Sequence, residues 1–392
     1  MNIREIRVTI FVCLLFFLRI FALSIVMSSF SQYGLKFKDT NEFLIGLAIG
    51  TYGFFQFIFQ IIFGFLSDKF GRKVILILGM FLFFLGCIFL ALNKSIWGII
   101  IGRSIQGAGA ISSVLIAWIS DIVLIKNFSK SMMFIGLTIV SSFFISIIFS
   151  PLIFLYININ LLFWIMSFFS ILCLITLWYF YDFFDTSNFL EKKIRIRKKN
   201  LVSILFNFKL LFLNIGTFFL YFTLTSNFIE LPKIMKILKI LPFLQFKIYA
   251  LTIFISIFFT MPIIHFFEKN NFLKEIFILF ITFLIISDFI LLNFIKNFLG
   301  LIIAIQFFFL SFSIFSSYIP SLINNFSYKN YKGTTLSIYY SFQSLGSSLG
   351  GIFSSWIQFN YLISPFFINI LINIFWLIFT IYFFYKVKYK NS

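Results

Sequence analysis

The sequence predicts an all-α membrane protein. It has twelve transmembrane helices in two pseudo-symmetric six-helix bundles, with both chain ends in the cytoplasm. Three observations predict this fold. The 392 residues are 61% hydrophobic and only 11% charged, whereas soluble domains carry about 25% charged residues. Polar punctuation cuts the chain into twelve apolar runs, each near the roughly 20 residues that cross a bilayer. The longest polar stretch falls after the sixth run, near the middle of the chain. With a mean hydropathy of +1.07, a soluble enzyme is excluded.

The first run, 8–31, follows Arg4 and Arg7. It is longer than the 7–15-residue core of a signal peptide and lacks a small-residue cleavage site, so it reads as a retained span. Runs 43–66, 74–92, 96–122, 132–155 and 161–183 complete a first bundle, residues 1–183. Residues 184–207 hold Glu191-Lys-Lys-Ile-Arg-Ile-Arg-Lys-Lys199 and form a basic cytoplasmic linker. In a soluble protein such a run binds nucleic acid; beside spans it holds topology and touches lipid headgroups. Runs 208–230, 248–267, 275–294, 299–323, 333–358 and 363–385 make the second bundle, residues 208–392.

The net charge of +19 is resolved by location. Of the 31 Lys and Arg, Arg19 and Arg103 lie within spans. Eight (Lys36, Lys38, Lys94, Lys233, Lys236, Lys239, Lys247 and Lys296) fall on outer segments, which leaves 21 on inner ones. Positive charge accumulates on cytoplasmic loops, so both ends are expected inside. The loop 231–247 holds half of the outer positives and fits least well.

The 67 Phe fill every span without motif spacing, as lipid-facing filler does. Cys13, Cys87 and Cys173 sit in apolar runs with no metal-ligand spacing. The single histidine, His265, leaves little for imidazole chemistry. No cofactor, metal or catalytic residue is expected.

The segment Gly64-Phe-Leu-Ser-Asp68-Lys-Phe-Gly71-Arg72-Lys73 joins the second and third runs. Its glycines suit a tight turn, Gly71 being free to take a left-handed backbone. The fourth run carries Gly102-Arg103-Ser-Ile-Gln106-Gly107-Ala-Gly109-Ala110 and closes on Ser120-Asp121. Arg103 is costly in hydrocarbon and must face the protein interior; Gly107 and Gly109 let a neighbouring helix come close. The eleventh run opens at Gly333 and holds Gln343-Ser-Leu-Gly346-Ser-Ser-Leu-Gly350-Gly351.

These segments resemble the G-x-L-x-D-x-x-G-R-K and R-x-x-Q-G-x-G-A signatures of the major facilitator superfamily. The similarity runs over essentially the whole chain. The stretches 45–53, 95–107 and 320–323 are similar to its YajR-type, drug:proton-antiporter-like branch of bacterial inner-membrane proteins. The small cytoplasmic domain that such proteins can carry after the last helix is not expected in a chain that stops at Ser392. The fifth run departs from that branch: it keeps Pro151 but has Ser150 in place of glycine. Phe267 to Lys274 is an eroded second copy of the first loop, as internal repeats allow.

The resemblance implies alternating access about a central site. It implies a gate in which Asp68 sits at the N-terminus of the eleventh helix near Gly333, where a carboxylate gains about 0.3–1 kcal/mol, and Arg72 pairs with Asp121. Cavity or coupling candidates are Arg19, Arg103, Gln106, Asp288 and Glu230, because charges at membrane depth are functional by default. Gly107, Gly109, Pro151, Gly346 and Gly350 are expected to serve helix packing. Two deep arginines and no deep acid in the first half favour a neutral or anionic solute.

The function expected is secondary active transport of a small solute across the bacterial inner membrane, as proton-coupled efflux driven by the proton gradient. A transport-inactive relic or scaffold, and uptake of a small metabolite, stay open as alternatives. An intramembrane enzyme is disfavoured by the single histidine. The expected partners are the solute, protons and membrane lipids, with no nucleic acid, and the chain is expected to act as a monomer.

Overall fold

The structure, a computed structural model, describes residues 1–34, 37–184, 207–270, 272–294, 297–327 and 332–390. Its described residues form thirteen α-helices: α1 (Ile3–Tyr33), α2 (Glu42–Phe70), α3 (Arg72–Leu92), α4 (Ile96–Ala108), α5 (Ser112–Ile122), α6 (Ile125–Tyr156), α7 (Ile159–Phe184), α8 (Phe208–Ile237), α9 (Pro242–Lys269), α10 (Leu273–Asn293), α11 (Phe298–Phe326), α12 (Lys332–Tyr361) and α13 (Pro365–Lys390). The basic run Glu191–Lys199 and nearly all of the expected linker lie outside the described residues.

Eleven helical stretches are long and apolar enough to cross a membrane, with α4 and α5 counted as one. The twelfth, α12, has the length but not the hydropathy. It is rich in Ser and Gly and packs against α2 and α8, so protein rather than lipid satisfies its polar groups. Large apolar side chains such as Phe65, Phe254, Phe258 and Phe375 face outward, as a lipid-facing surface requires.

Local chemistry explains the helix ends. Asn41, Ser95 and Asn297 each accept a backbone N–H with their side chains at an N-terminus. Glu5 reaches back to the N–H of Asn2 at 2.7 Å. It also accepts from Leu124 N (2.9 Å) and Asn127 Nδ2 (2.8 Å), tying the start of α1 to the α5–α6 turn.

Two expectations are corrected. The fourth run is not one helix: it breaks at 109–111 between α4 and α5. Gly109, φ −68° and ψ 31°, lies against Gly79 and Phe83 of α3, and this close approach replaces a helical turn. The outer loop 231–247 is mostly helix. α8 runs on to Ile237 with Pro232 inside it, and α9 starts at Pro242. Lys233 is therefore a helix residue with partners and not a loop charge.

α1 packs on α6, α2 on α4, and α3 on α7; among the later helices, α10 packs on α13 and α9 on α11. The first seven helices meet the last six along α2 with α12, α1 with α8, and α6 with α9. Along α2 and α12 the contact is very close. Gly46 lies against Ser355, Gly50 against Ser348 and Ile352, and Gly53 against Ser344. Further along, Gln60 Nε2 donates to Ser337 O at 3.5 Å.

Candidate functional site

The connection between α2 and α3 is the single residue Gly71, at φ +90°. Side chains with a Cβ rarely adopt that conformation, so the glycine is what lets α3 fold back at once. Arg72 opens α3 immediately after it. Its Nη1 lies 2.6 Å from Asp68 Oδ1 and donates to Ser67 Oγ at 2.6 Å; its Nε donates to Asp121 Oδ2 at 3.2 Å. One guanidinium thus joins the end of α2, the start of α3 and the end of α5. Ser67 Oγ donates in turn to Gly64 O at 2.8 Å. The small residue at Gly64 lets Ser113 of α5 come near, and Ser113 Oγ donates to Gln60 O at 3.0 Å.

Arg72 and Asp121 are brought together as expected from sequence. Asp68 has Arg72 as its described partner. Gly333 stands in the first turn of α12, where the side chains of residues 332–334 lie outside the description. Asp68 and Asp121 side chains are 58% and 44% exposed, so each pair contributes roughly 0.2–1 kcal/mol. The cluster holds three helix ends by contacts weak enough to break.

Arg103, buried, donates from Nη1 to Gln106 Oε1 at 2.7 Å. Its guanidinium lies 4.5 Å from the Tyr52 ring centroid, a cation–π arrangement. Gln106 Nε2 donates to Cys87 Sγ at 3.2 Å. A Cβ on Gly107 would collide with the Tyr52 carbonyl, and one on Gly346 or Gly350 with the carbonyls of Phe218 and Phe222. These glycines are the points where α4 approaches α2 and α12 approaches α8. Pro151 lies inside α6.

Arg19 is 2% exposed, and Nε, Nη1 and Nη2 all lack a hydrogen-bond partner. Its guanidinium is 5.9 Å from the Phe83 ring centroid.

Asp288, on α10, is wholly buried and accepts from Asn227 Nδ2 of α8 (2.9 Å) and Asn373 Nδ2 of α13 (3.1 Å). Asn369 Nδ2 of α13 donates to Asn227 Oδ1 at 2.7 Å. The acid is enclosed by amides of the last six helices.

Glu230 belongs to a cluster at the other end of the molecule from Arg72. Lys233 Nζ lies 3.1 Å from both Glu230 Oε1 and Glu42 Oε2, and donates to Gln358 Oε1 at 3.2 Å. Glu42 opens α2, so this cluster bridges the first seven helices and the last six. Sequence reasoning marks Asn227 as a polar residue able to line a cavity, and misses Lys233, Glu42, Asn369 and Asn373. The excess of lysines beside Pro232 was the available signal for Lys233; nothing in the spacing marks the others.

A chain of twelve membrane crossings, with a glycine turn and an arginine clamp after the second, is now matched by comparison. The Major Facilitator Superfamily profile matches residues 12–351. The chain belongs to the major facilitator superfamily. Relatives agree. An uncharacterized transporter of Buchnera aphidicola subsp. Acyrthosiphon pisum is 38% identical over 350 residues, 89% of this chain and 90% of that one. The inner membrane transport protein YajR of Escherichia coli K12 is 32% identical over 344 residues, 88% of this chain and 75% of that one. Among solved structures, a D-xylose-proton symporter superposes with a TM-score of 0.73 at 15% identity, covering 97% of each chain; that likeness concerns the fold. This superfamily member is a multi-pass inner-membrane transporter of a small solute and not an enzyme.

Proposed function

We propose that this transporter works by alternating access as a proton-coupled exporter, with residues 1–183 and 208–392 as the two rocking bodies. The observation that carries the access cycle is the placement of its ion pairs. At one end Lys233 ties α8 to α2 across the two groups of helices. At the other, Arg72 ties α2, α3 and α5 within one group. Each pair is partly exposed and worth roughly 0.2–1 kcal/mol. The pair that spans the two groups therefore adds only a small free-energy barrier to opening at its end, as a protein with two comparably stable conformations requires, while the Arg72 pairs shape the α2–α3–α5 end of the first group.

The likeness of Gly64–Lys73 to the superfamily's first loop supports a gating role for Asp68 and Arg72. The likeness of stretches 45–53 and 95–107 to the drug:proton-antiporter-like branch supports proton exchange and outward movement, and Ser150 before Pro151 is the departure from it. The test uses the purified full chain in proteoliposomes, a pH jump and a panel of neutral, anionic and cationic solutes. Solute movement that reverses with the direction of the pH gradient is expected. Solute movement blind to that gradient removes the proton, and no movement of any panel member removes transport.

A further inference from the structure

Resting on the transport reading, we infer that Arg19 is the solute subsite, and that it takes an oxyanion: the carboxylate or phosphate group of a small anionic solute. A guanidinium buried without partners is among the most expensive arrangements a membrane protein can hold. Arg19 is close to that state: all three nitrogens lack a hydrogen-bond partner, and the Phe83 ring lies 5.9 Å from its guanidinium. The other deep arginine, Arg103, is bonded to Gln106 and stacked on Tyr52. Acids do not relieve Arg19. Glu5 is held by Asn2, Leu124 and Asn127, and Asp288 by two asparagines in the other group of helices. The planar fork of Arg matches an oxyanion through two parallel hydrogen bonds.

The position suits a transported ligand. Residues three apart share a helix face, and Phe16, one turn before Arg19, meets Tyr340 of α12 at 6.3 Å between ring centroids. This stretch of α1 thus borders the junction of the two groups of helices, with the Arg19 guanidinium beside Phe83 of α3. Gln343 lies one turn beyond Tyr340 in the same direction, and its Oε1 also lacks a partner. A ligand between Arg19 and α12 would touch both rocking bodies.

The test is thermal melting of the purified full chain in phosphatidylcholine nanodiscs, which hold no anionic headgroups. Sodium lactate and sodium phosphate are the oxyanion probes, and tetraphenylphosphonium is the cationic control. Lactate or phosphate is expected to raise the melting temperature saturably, by roughly 5 °C at a hundredfold excess over Kd, and the gain is lost in Arg19→Met. Which of the two acts separates a carboxylate from a phosphate ligand. Without oxyanion, Arg19→Met is expected to melt at or above the unchanged protein, since it removes an uncompensated charge. The inference is overturned if neither oxyanion stabilises, if Arg19→Met keeps the gain, or if Arg19→Met melts lower or fails to fold. Binding is read here without transport. Oxyanion binding with no solute flux would leave the subsite and remove the transporter reading; flux without oxyanion binding would do the reverse.

Discussion

Lys233 of α8 lies 3.1 Å from Glu42 of α2, an ion pair that joins the first seven helices to the last six. Its side chains are 16% and 40% exposed, and Glu230 and Gln358 hold the same ammonium. Breaking the pair should bias the molecule towards opening at that end. Lys233→Met is expected to increase labelling of a cysteine placed at Thr51 by an impermeant maleimide about fivefold, in a background with Cys13, Cys87 and Cys173 replaced by Ser. That factor corresponds to about 1 kcal/mol. Glu42→Gln should give a smaller increase, because the amide oxygen can still accept a hydrogen bond from Lys233. Unchanged labelling in both variants would show that the pair does not hold the end shut.

Arg72 has three partners at hydrogen-bond distance on two helices besides its own. Lys carries the charge but not the fork. Arg72→Lys is therefore expected to insert normally yet lose most of the transport rate. Asp68→Asn should lower the rate about fivefold, in keeping with a partly exposed pair worth about 1 kcal/mol. Membrane content by immunoblot and initial rates in proteoliposomes check both. Normal rates in Asp68→Asn would leave the cluster with topology and turn geometry alone.

Span positions were legible in the sequence because apolar runs of membrane length have few other uses. The first loop was legible because its chemistry is local: Gly71 makes the turn and Arg72 follows it. What could not be read was facing. In a bilayer the outside of a helix is as apolar as its inside, so Phe65 on the surface and Phe228 in the core carry no distinguishing pattern. The break at Gly109 depends on the backbone of α3 lying alongside, and the role of Lys233 depends on Glu42, far away in the chain. Asp288 was recognisable as a deep acid, but its asparagine shell comes from two other helices.

Gly107 and Gly346 sit where a Cβ would meet the carbonyls of Tyr52 and Phe218. Backbone cannot yield as a flexible side-chain end does. Gly107→Val and Gly346→Val are each expected to cost about 1–3 kcal/mol or more through overpacking. Gly136 has nothing within 4 Å of the same position. Gly136→Ala should therefore stabilise α6 by up to about 1 kcal/mol through helix propensity. Melting temperatures of the three purified variants check the contrast. A Gly136→Ala protein that loses as much as the two valine variants would refute close packing as the cause.

Asp288 accepts one amide N–H on each carboxyl oxygen, and the two donors cannot easily turn away. Asn227 already uses its Oδ1 to accept from Asn369, so flipping its amide would break that bond. Asp288→Leu leaves both donors buried and unsatisfied, at about 1–3 kcal/mol each. Asp288→Asn keeps one acceptor but sets its own N–H₂ against an N–H₂, so it should lose about half as much. Removing the donor instead, Asn373→Leu, should cost less than Asp288→Leu, since one good hydrogen bond to the acid survives. The expected order of melting temperatures is unchanged protein, then Asp288→Asn and Asn373→Leu, then Asp288→Leu. If Asp288→Leu melts with the unchanged protein, the amide shell is not what holds α8, α10 and α13 together.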